Sequence, residues 1–310
     1  EVSDIVAVSE PLTLEFQAQA KYHVRGGILC DKIGYGKTAT TIGLIDSTLE
    51  CPPPEIPEID RQHFVKAKGT LIIVPSNLWD QWLQEISKFV FDGRPLRLAL
   101  KNGWSPQGCP MKILALLDVR HLVNVTLQEL AEADVVLCCY RLLYSQVYAK
   151  RWSQIAGGAK GNSFSKLMEV TKQLIQGKAS VVQARKGDAG KDEAKASSRH
   201  DLKFPVLEML YWKRVVFDEF HELESFESVQ QNSLQHMRAS YRWGLTGTPP
   251  LDGSAGAVFM SSLFRVDLPG ALQRPEDLSK YPNLSKWESD RLLAEASARF
   301  LDRFARQNTA

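Results

Sequence analysis

The chain has almost no net charge: 38 Lys and Arg against 36 Asp and Glu leave +2 over 310 residues. That excludes a polycationic surface, so any contact with a polyanion has to come from a local patch. Long apolar runs are also missing. None approaches the ~18–20 residues that span a bilayer. Runs such as Leu71–Val74 and Ile113–Leu117 suit buried strands or helix faces. The start has no basic region followed by an apolar stretch, so no signal peptide is visible. Cysteine is sparse and unpatterned. Cys30, Cys51, Cys109, Cys138 and Cys139 form no CxxC pair and have no histidine at zinc-ligand spacing; they read as reduced thiols of an intracellular protein. No internal repeat is present. A hydrophobic share of 44% and a charged share of 24% exclude a mostly disordered or collagen-like chain.

What is present is an alternation of short β-branched runs with longer helical stretches. Gly27–Cys30, Thr70–Val74, Asp134–Cys139, Arg214–Phe217 and Tyr241–Leu245 read as strands, and Thr38–Leu49 and Leu78–Phe89 as helices. Continuous apolar strands separated by helices predict an α/β fold with a mostly parallel sheet covered on both faces. Residues 149–203 break the pattern. Glycine, alanine, serine and lysine dominate much of this stretch, and it reads as a largely surface insertion, with a helix over Ser163–Ile175.

Two segments carry chemistry. Asp31-Lys32-Ile33-Gly34-Tyr35-Gly36-Lys37-Thr38 follows a strand and opens a helix, the context of a phosphate loop. Gly34 and Gly36 let backbone N–H groups converge on phosphate oxygens, Lys37 reaches the β- and γ-phosphates, and the Thr38 hydroxyl holds Mg²⁺. The second segment is an apolar strand ending in Asp218 and Glu219, then Phe220 and His221. There Asp218 suits the metal-side acid and Glu219 the acid that polarises a water. His221, at the end of the turn, can link the acids to neighbouring loops. Trp82 reads as a core residue that packs its helix on the sheet.

Five segments in order resemble the Swi/Snf family of superfamily-two helicase-like ATPases. They are GGILCDKIGYGKT at Gly26–Thr38, TLIIVPSNLWDQWLQEISKF at Thr70–Phe89, DVVLCCY at Asp134–Tyr140, DEFH at Asp218–His221 and RWGLTGTP at Arg242–Pro249. ARFLDRFARQN at Ala298–Asn308 is similar to the approach to the second lobe in the ring-finger-bearing DNA-repair subgroup. The resemblance implies a RecA-like first lobe with ATP and Mg²⁺ as cofactors. It implies Lys37, Asp218, Glu219 and His221 as catalytic residues, Gly34, Gly36, Lys37 and Thr38 around the nucleotide, and Thr38 and Asp218 at the metal. Pro75, Ser76 and Gln81 would touch the tracked strand of double-stranded DNA by its backbone, and Thr246 and Thr248 would couple nucleotide state to DNA. Nucleosome or repair proteins are further partners that it implies, with chromatin remodelling or DNA repair in the nucleus as the context, and no membrane.

Departures from the family pattern are Lys32 for Glu, Tyr35 for Leu, Phe220 for Ala, and Cys138 and Cys139 for hydroxyl residues. Lys32, Tyr35 and Phe220 keep open a second function, a degenerate lobe that binds nucleotide or DNA without turnover. A third is an RNA helicase lobe, against which the QW…E…KF segment speaks. The expected organisation is a lead-in at 1–25, the lobe at 26–250 and a helical extension at 251–310 toward a second lobe. The expected behaviour of such a piece alone is poor ATP hydrolysis.

Overall fold

The computed structural model describes residues 2–9, 12–18, 25–157, 164–178, 181–182, 195–225, 228–250, 253–266, 268 and 286–308. The chain divides into two compact units. One joins residues 27–250 to 305–310, and the other joins 1–26 to 251–304.

The larger unit is built on a parallel sheet. Its strands are β3 (Gly26–Leu29), β4 (Val65–Lys66), β5 (Thr70–Val74), β6 (Ile113–Leu116), β7 (Val135–Cys139), β10 (Leu210–Asp218), β11 (Arg238–Leu245) and β12 (Ala305–Arg306). The order across the sheet is β12-β3-β11-β10-β5-β7-β6, with β4 beside the start of β10. Every register described is parallel. The β-branched runs read from the sequence explain this directly. All five residues of β5 and β7 and all nine of β10 are buried, so both sheet faces are covered and no in–out alternation survives.

The principal helices are α1 (Lys37–Ser47), α3 (Trp79–Val90), α7 (Gln146–Ala156), α8 (Phe164–Ile175) and α9 (Ser228–His236). Short turns of helix form α2 (Glu58–Arg61), α4 (Leu96–Ala99), α5 (Leu127–Ala131) and α6 (Tyr140–Leu143). α3 turns Trp79, Trp82, Leu83 and Ile86 inward, the i, i+3, i+4, i+7 stripe of an amphipathic helix. Buried cations then tie helix ends to the sheet. Lys213 donates to the carbonyls of Thr48 and Cys51, just past the C-terminus of α1, where the dipole favours a cation. Arg242 donates to Leu234 and Met237 carbonyls at the end of α9 while its guanidinium lies 5.2 Å from the Phe217 ring. The arginine of the RWGLTGTP segment is therefore a helix cap.

Within 149–203, the described helices each bury one face, while residues 175–178 and 199–201 are exposed. Arg151, Trp152, Ile155, Leu167, Thr171 and Leu174 are buried on α7 and α8. Arg151 donates to the carbonyls of Lys203 and Phe204, and burial lowers its pKa to about 10. Just upstream, Tyr148 donates to Glu208, which also accepts from Ser233 of α9. The helix expected over Ser163–Ile175 is α8; average composition hid α7 and the apolar stripe that each helix carries. Two short strands, β8 (Val181–Val182) and β9 (Lys195–Ala196), pair antiparallel, and the glycine- and lysine-rich stretches at 158–163 and 183–194 lie outside the described residues.

In the smaller unit, β1 (Val2–Ser9) and β2 (Leu12–Ala18) pair antiparallel. Helices α10 (Gly253–Phe264) and α11 (Lys286–Phe304) meet through Phe264, Phe300 and Phe304, with ring centroids 5.1–5.4 Å apart. The expected helical extension at 251–310 needs one correction. Ala305 and Arg306 leave the helix and pair with Ile28 and Leu29, because the open edge of β3 offers unpaired backbone groups.

Candidate functional site

A parallel sheet sends all its strand ends to one side, so the loops that follow β3, β11, β10, β5 and β7 line one edge in that order. The first three carry the phosphate loop, the LTGTP segment and the DEFH box; the last two carry Pro75-Ser76 and Tyr140-Arg141.

The phosphate loop is open. Residues 32–36 are exposed. Gly34 and Gly36 have φ of +91° and +79° with open space where a Cβ would stand, so glycine is needed for conformation and leaves the backbone approachable. Gly36 caps α1 without a side-chain hydrogen bond, leaving first-turn amides for an anion. Thr38 is half-buried in that first turn. Lys37 Nζ donates to the carbonyls of Asp31 (2.5 Å) and Lys32 (3.2 Å). Asp31, which stands where the generic loop has glycine, is 5% exposed. Its carboxylate accepts from the backbone N–H (2.6 Å) and Nδ2 (3.1 Å) of Asn308, so the residues after β12 clasp the base of the loop. Gly247 approaches the loop from the LTGTP side, near Ile33.

The acidic strand end is closed. Asp218 is 6% exposed. Its Oδ2 accepts from Trp82 Nε1 at 2.6 Å, its Oδ1 from the Glu219 N–H at 3.1 Å, and its carbonyl from the Tyr140 hydroxyl at 3.0 Å. Burial pushes the carboxyl up to about 6; the Trp82 donor pulls it back, and the neighbouring Glu219 pushes with burial. Glu219 has φ +47°, a left-handed backbone that costs a side-chain-bearing residue about 1–2 kcal/mol. His221 Nδ1 lies 3.2 Å from Glu219 Oε2 and 2.8 Å from Thr246 Oγ1, and Thr246 Oγ1 also accepts from the Thr248 N–H at 3.0 Å. Thr246 N–H in turn donates to Leu29, at the end of β3. Glu219, His221, Thr246 and the strand that feeds the phosphate loop thus form one connected chain. Phe220 is fully buried.

Beyond β5 and β7 lies a groove of roughly 740 Å³. It is lined by Pro75, Ser76 and Asn77 after β5, by Tyr140, Arg141, Tyr144, Ser145 and Gln146 after β7, and by Glu222 after β10. Gln81 is exposed on α3 and is not among the lining residues. Tyr140 and Arg141 follow the DVVLCC strand directly; their side of the groove was not assigned from sequence. Trp82 is 1% exposed, as a core residue would be, but its indole N–H serves the acid.

The comparisons with known proteins bear on this arrangement. The model of the SNF2-related domain matches residues 12–287. The chain belongs to this family. Among similar curated proteins, the DNA repair protein rad5 of Aspergillus fumigatus is 24% identical over 78% of this chain and 16% of its own length. DNA repair protein rad8 of Schizosaccharomyces pombe is 26% identical over 76% of this chain and 16% of its own length. A DNA (cytosine-5-)-methyltransferase, DMT5 of Cryptococcus neoformans, is 30% identical over 50% of this chain and 6% of its own. The chain therefore spans a small part of each of these relatives. A solved structure of the Sulfolobus solfataricus SWI2/SNF2 ATPase core in complex with dsDNA covers 92% of this chain and 40% of its own. The identity is 15% and the TM-score 0.48. In this SNF2-related lobe, the α/β sheet and the motif order agree with what the sequence implied.

Proposed function

We propose that this chain is the first motor lobe of an ATP-dependent double-stranded-DNA translocase that works in the nucleus in chromatin remodelling or DNA repair. The observation that carries the reading is the single sheet edge on which an open phosphate loop, a buried acid and a separate groove stand in sequence. The names of the rad5 and rad8 relatives support the DNA context.

The donor set fits a magnesium nucleotide. Positive-φ glycines bare the backbone at Gly34 and Gly36, and α1 presents uncapped amides beside the cation of Lys37 and the hydroxyl of Thr38. Each oxygen of Asp218 accepts one hydrogen bond and keeps a lone pair for a metal. When bound, magnesium supplies charge at the phosphate oxygens. The chain's own groups do the rest. Lys37 exchanges its two loop carbonyls for phosphate oxygens, and the α1 amides hold the anion. Glu219 orients a water, and His221 and Thr246 fix the Glu219 carboxylate. Pro75, Ser76 and Arg141 meet a sugar–phosphate backbone without reading bases, as a motor that steps along any sequence requires. Thr248, exposed beside Thr246, links the acidic box to the neighbouring loop.

The test is ATP hydrolysis by the full-length protein with and without duplex DNA. Duplex stimulation that is lost in Lys37→Ala supports the reading; hydrolysis indifferent to duplex contradicts it, and stronger stimulation by RNA would favour an RNA helicase lobe. A nucleotide- or DNA-binding module without turnover is the second reading. The bond from Lys37 to its own loop and the bulk of Phe220 favour it, and calorimetric binding of ATP with no hydrolysis in the full-length protein would establish it.

A further inference from the structure

Two hydrogen bonds reach Asp218 from the side of the groove, not from the phosphate loop. Trp82 donates its indole N–H to the carboxylate, across 136 positions of sequence. Tyr140 donates its hydroxyl to the carbonyl of the same residue, across 78. Each donor is attached to a different wall. Tyr140 itself lines the groove. Trp82 stands one turn into α3, and the start of α3 is fastened to the other wall: Leu78 N–H donates to the Pro75 carbonyl and Trp82 N–H to the Leu78 carbonyl. A displacement of the Pro75–Asn77 loop therefore moves the first turn of α3 and the indole with it. A buried indole N–H or phenol needs some acceptor, and a neighbouring carbonyl would serve. Here both converge on one residue, and it is the acid facing the nucleotide side.

We propose that Trp82 and Tyr140 are positioning residues through which a sugar–phosphate backbone in the groove sets the placement of Asp218. Filling the groove fixes both walls, and the two walls fix the carboxylate and the main chain of the acid together. This route is separate from the Glu219–His221–Thr246 chain, which joins the acidic box to the phosphate-loop side. The inference rests on Asp218 as the metal-side acid and on the groove as the DNA track.

The experiment uses the full-length protein with Tyr140→Phe, which removes one hydroxyl and keeps the ring, and with Trp82→Phe. Three quantities are read: ATP hydrolysis without DNA, hydrolysis at saturating duplex, and duplex affinity without nucleotide. Thermal melting accompanies each variant; if Trp82→Phe is poorly folded, Tyr140→Phe decides. The expected result is a stimulation factor reduced roughly tenfold, the scale of one hydrogen bond to a charged or tightly held group, with duplex affinity unchanged within about twofold. The double variant is no worse than the stronger single one, because both act on one acid. An unchanged stimulation factor overturns the proposal, and so does a factor that falls in step with duplex affinity, since the residues would then only bind. A wild-type protein that duplex does not stimulate overturns the proposed function itself, which separates the two failures.

Discussion

The phosphate loop and the acidic strand end lie at the same edge of the sheet and are built in opposite ways. The loop is exposed, turns on two positive-φ glycines and satisfies Lys37 with its own carbonyls. The strand end is buried, and Asp218 is held by Trp82, Glu219 and Tyr140. One half is shaped to be reorganised by a ligand. The other is placed before a ligand arrives, at the cost of burying a carboxylate and bending Glu219 into a strained backbone. A substitution in the loop should therefore cost activity and little stability, whereas one at the strand end should alter both.

The largest expected effect breaks the loop half alone. Lys37→Ala should lower ATP turnover in the full-length protein by about 10²–10³-fold while shifting the unfolding free energy by less than about 1 kcal/mol; a large loss of stability would put Lys37 in the scaffold. At the strand end, the relevant readout is pH. The folded-state carboxyl of Asp218 lies at about 6 against an ordinary 3.8, so the native state binds the proton more tightly than the unfolded state. That contribution is fully present below pH ~4 and is lost as pH rises through ~6. In urea unfolding, the stability of Asp218→Asn relative to wild type should therefore grow by up to about 3 kcal/mol between pH 4 and pH 7. A flat difference would mean that the acid is not held in a desolvated site.

Glycine substitutions contrast the open loop with the close-packed sheet. At Gly69 an added Cβ would stand 2.1 Å from the Ala133 carbonyl, so Gly69→Ala should cost about 3 kcal/mol. At Gly34 nothing lies within 4 Å, and Gly34→Ala should cost only the strain of a left-handed alanine, about 1–2 kcal/mol. Denaturant midpoints that rank the two the other way would contradict the open-loop account. The smallest effect is chemical. Cys51 is exposed, whereas Cys30, Cys138 and Cys139 are buried, and burial pushes the Cys30 thiol up to about 11. Alkylation near pH 8 should mark Cys51 first and leave Cys30 unlabelled until the protein unfolds; early labelling of Cys30 would mean that the base of the loop opens freely.

The contrast also explains what the sequence made legible. Strands β5 and β7 stood out because burial on both faces demands unbroken apolar runs; of β10 only Arg214–Phe217 was legible, because Lys213 and Arg214 interrupt its apolar run. The phosphate loop and the DEFH box stood out because each is contiguous. The contacts that give the strand end its character are long-range: Trp82 looked like an ordinary core residue, and nothing in the spacing of Tyr140 pointed to Asp218. The clasp between Asp31 and Asn308 joins residues 277 positions apart and depends on a two-residue strand with no pattern of its own. In 149–203, glycine and lysine dominated the average and concealed the buried stripes of α7 and α8. Local chemistry was readable; the bonds that hold an acid in place were set by the topology of the sheet.

Hydrogen exchange with and without a magnesium complex of a non-hydrolysable ATP analogue tests the central contrast most directly. The account predicts that amides of residues 32–38 exchange quickly in the free protein and become protected on binding. Those of β10 through Asp218 should be protected in both states. Fast exchange at the end of β10 in the free protein, or no added protection at 32–38 with the analogue bound, would contradict it.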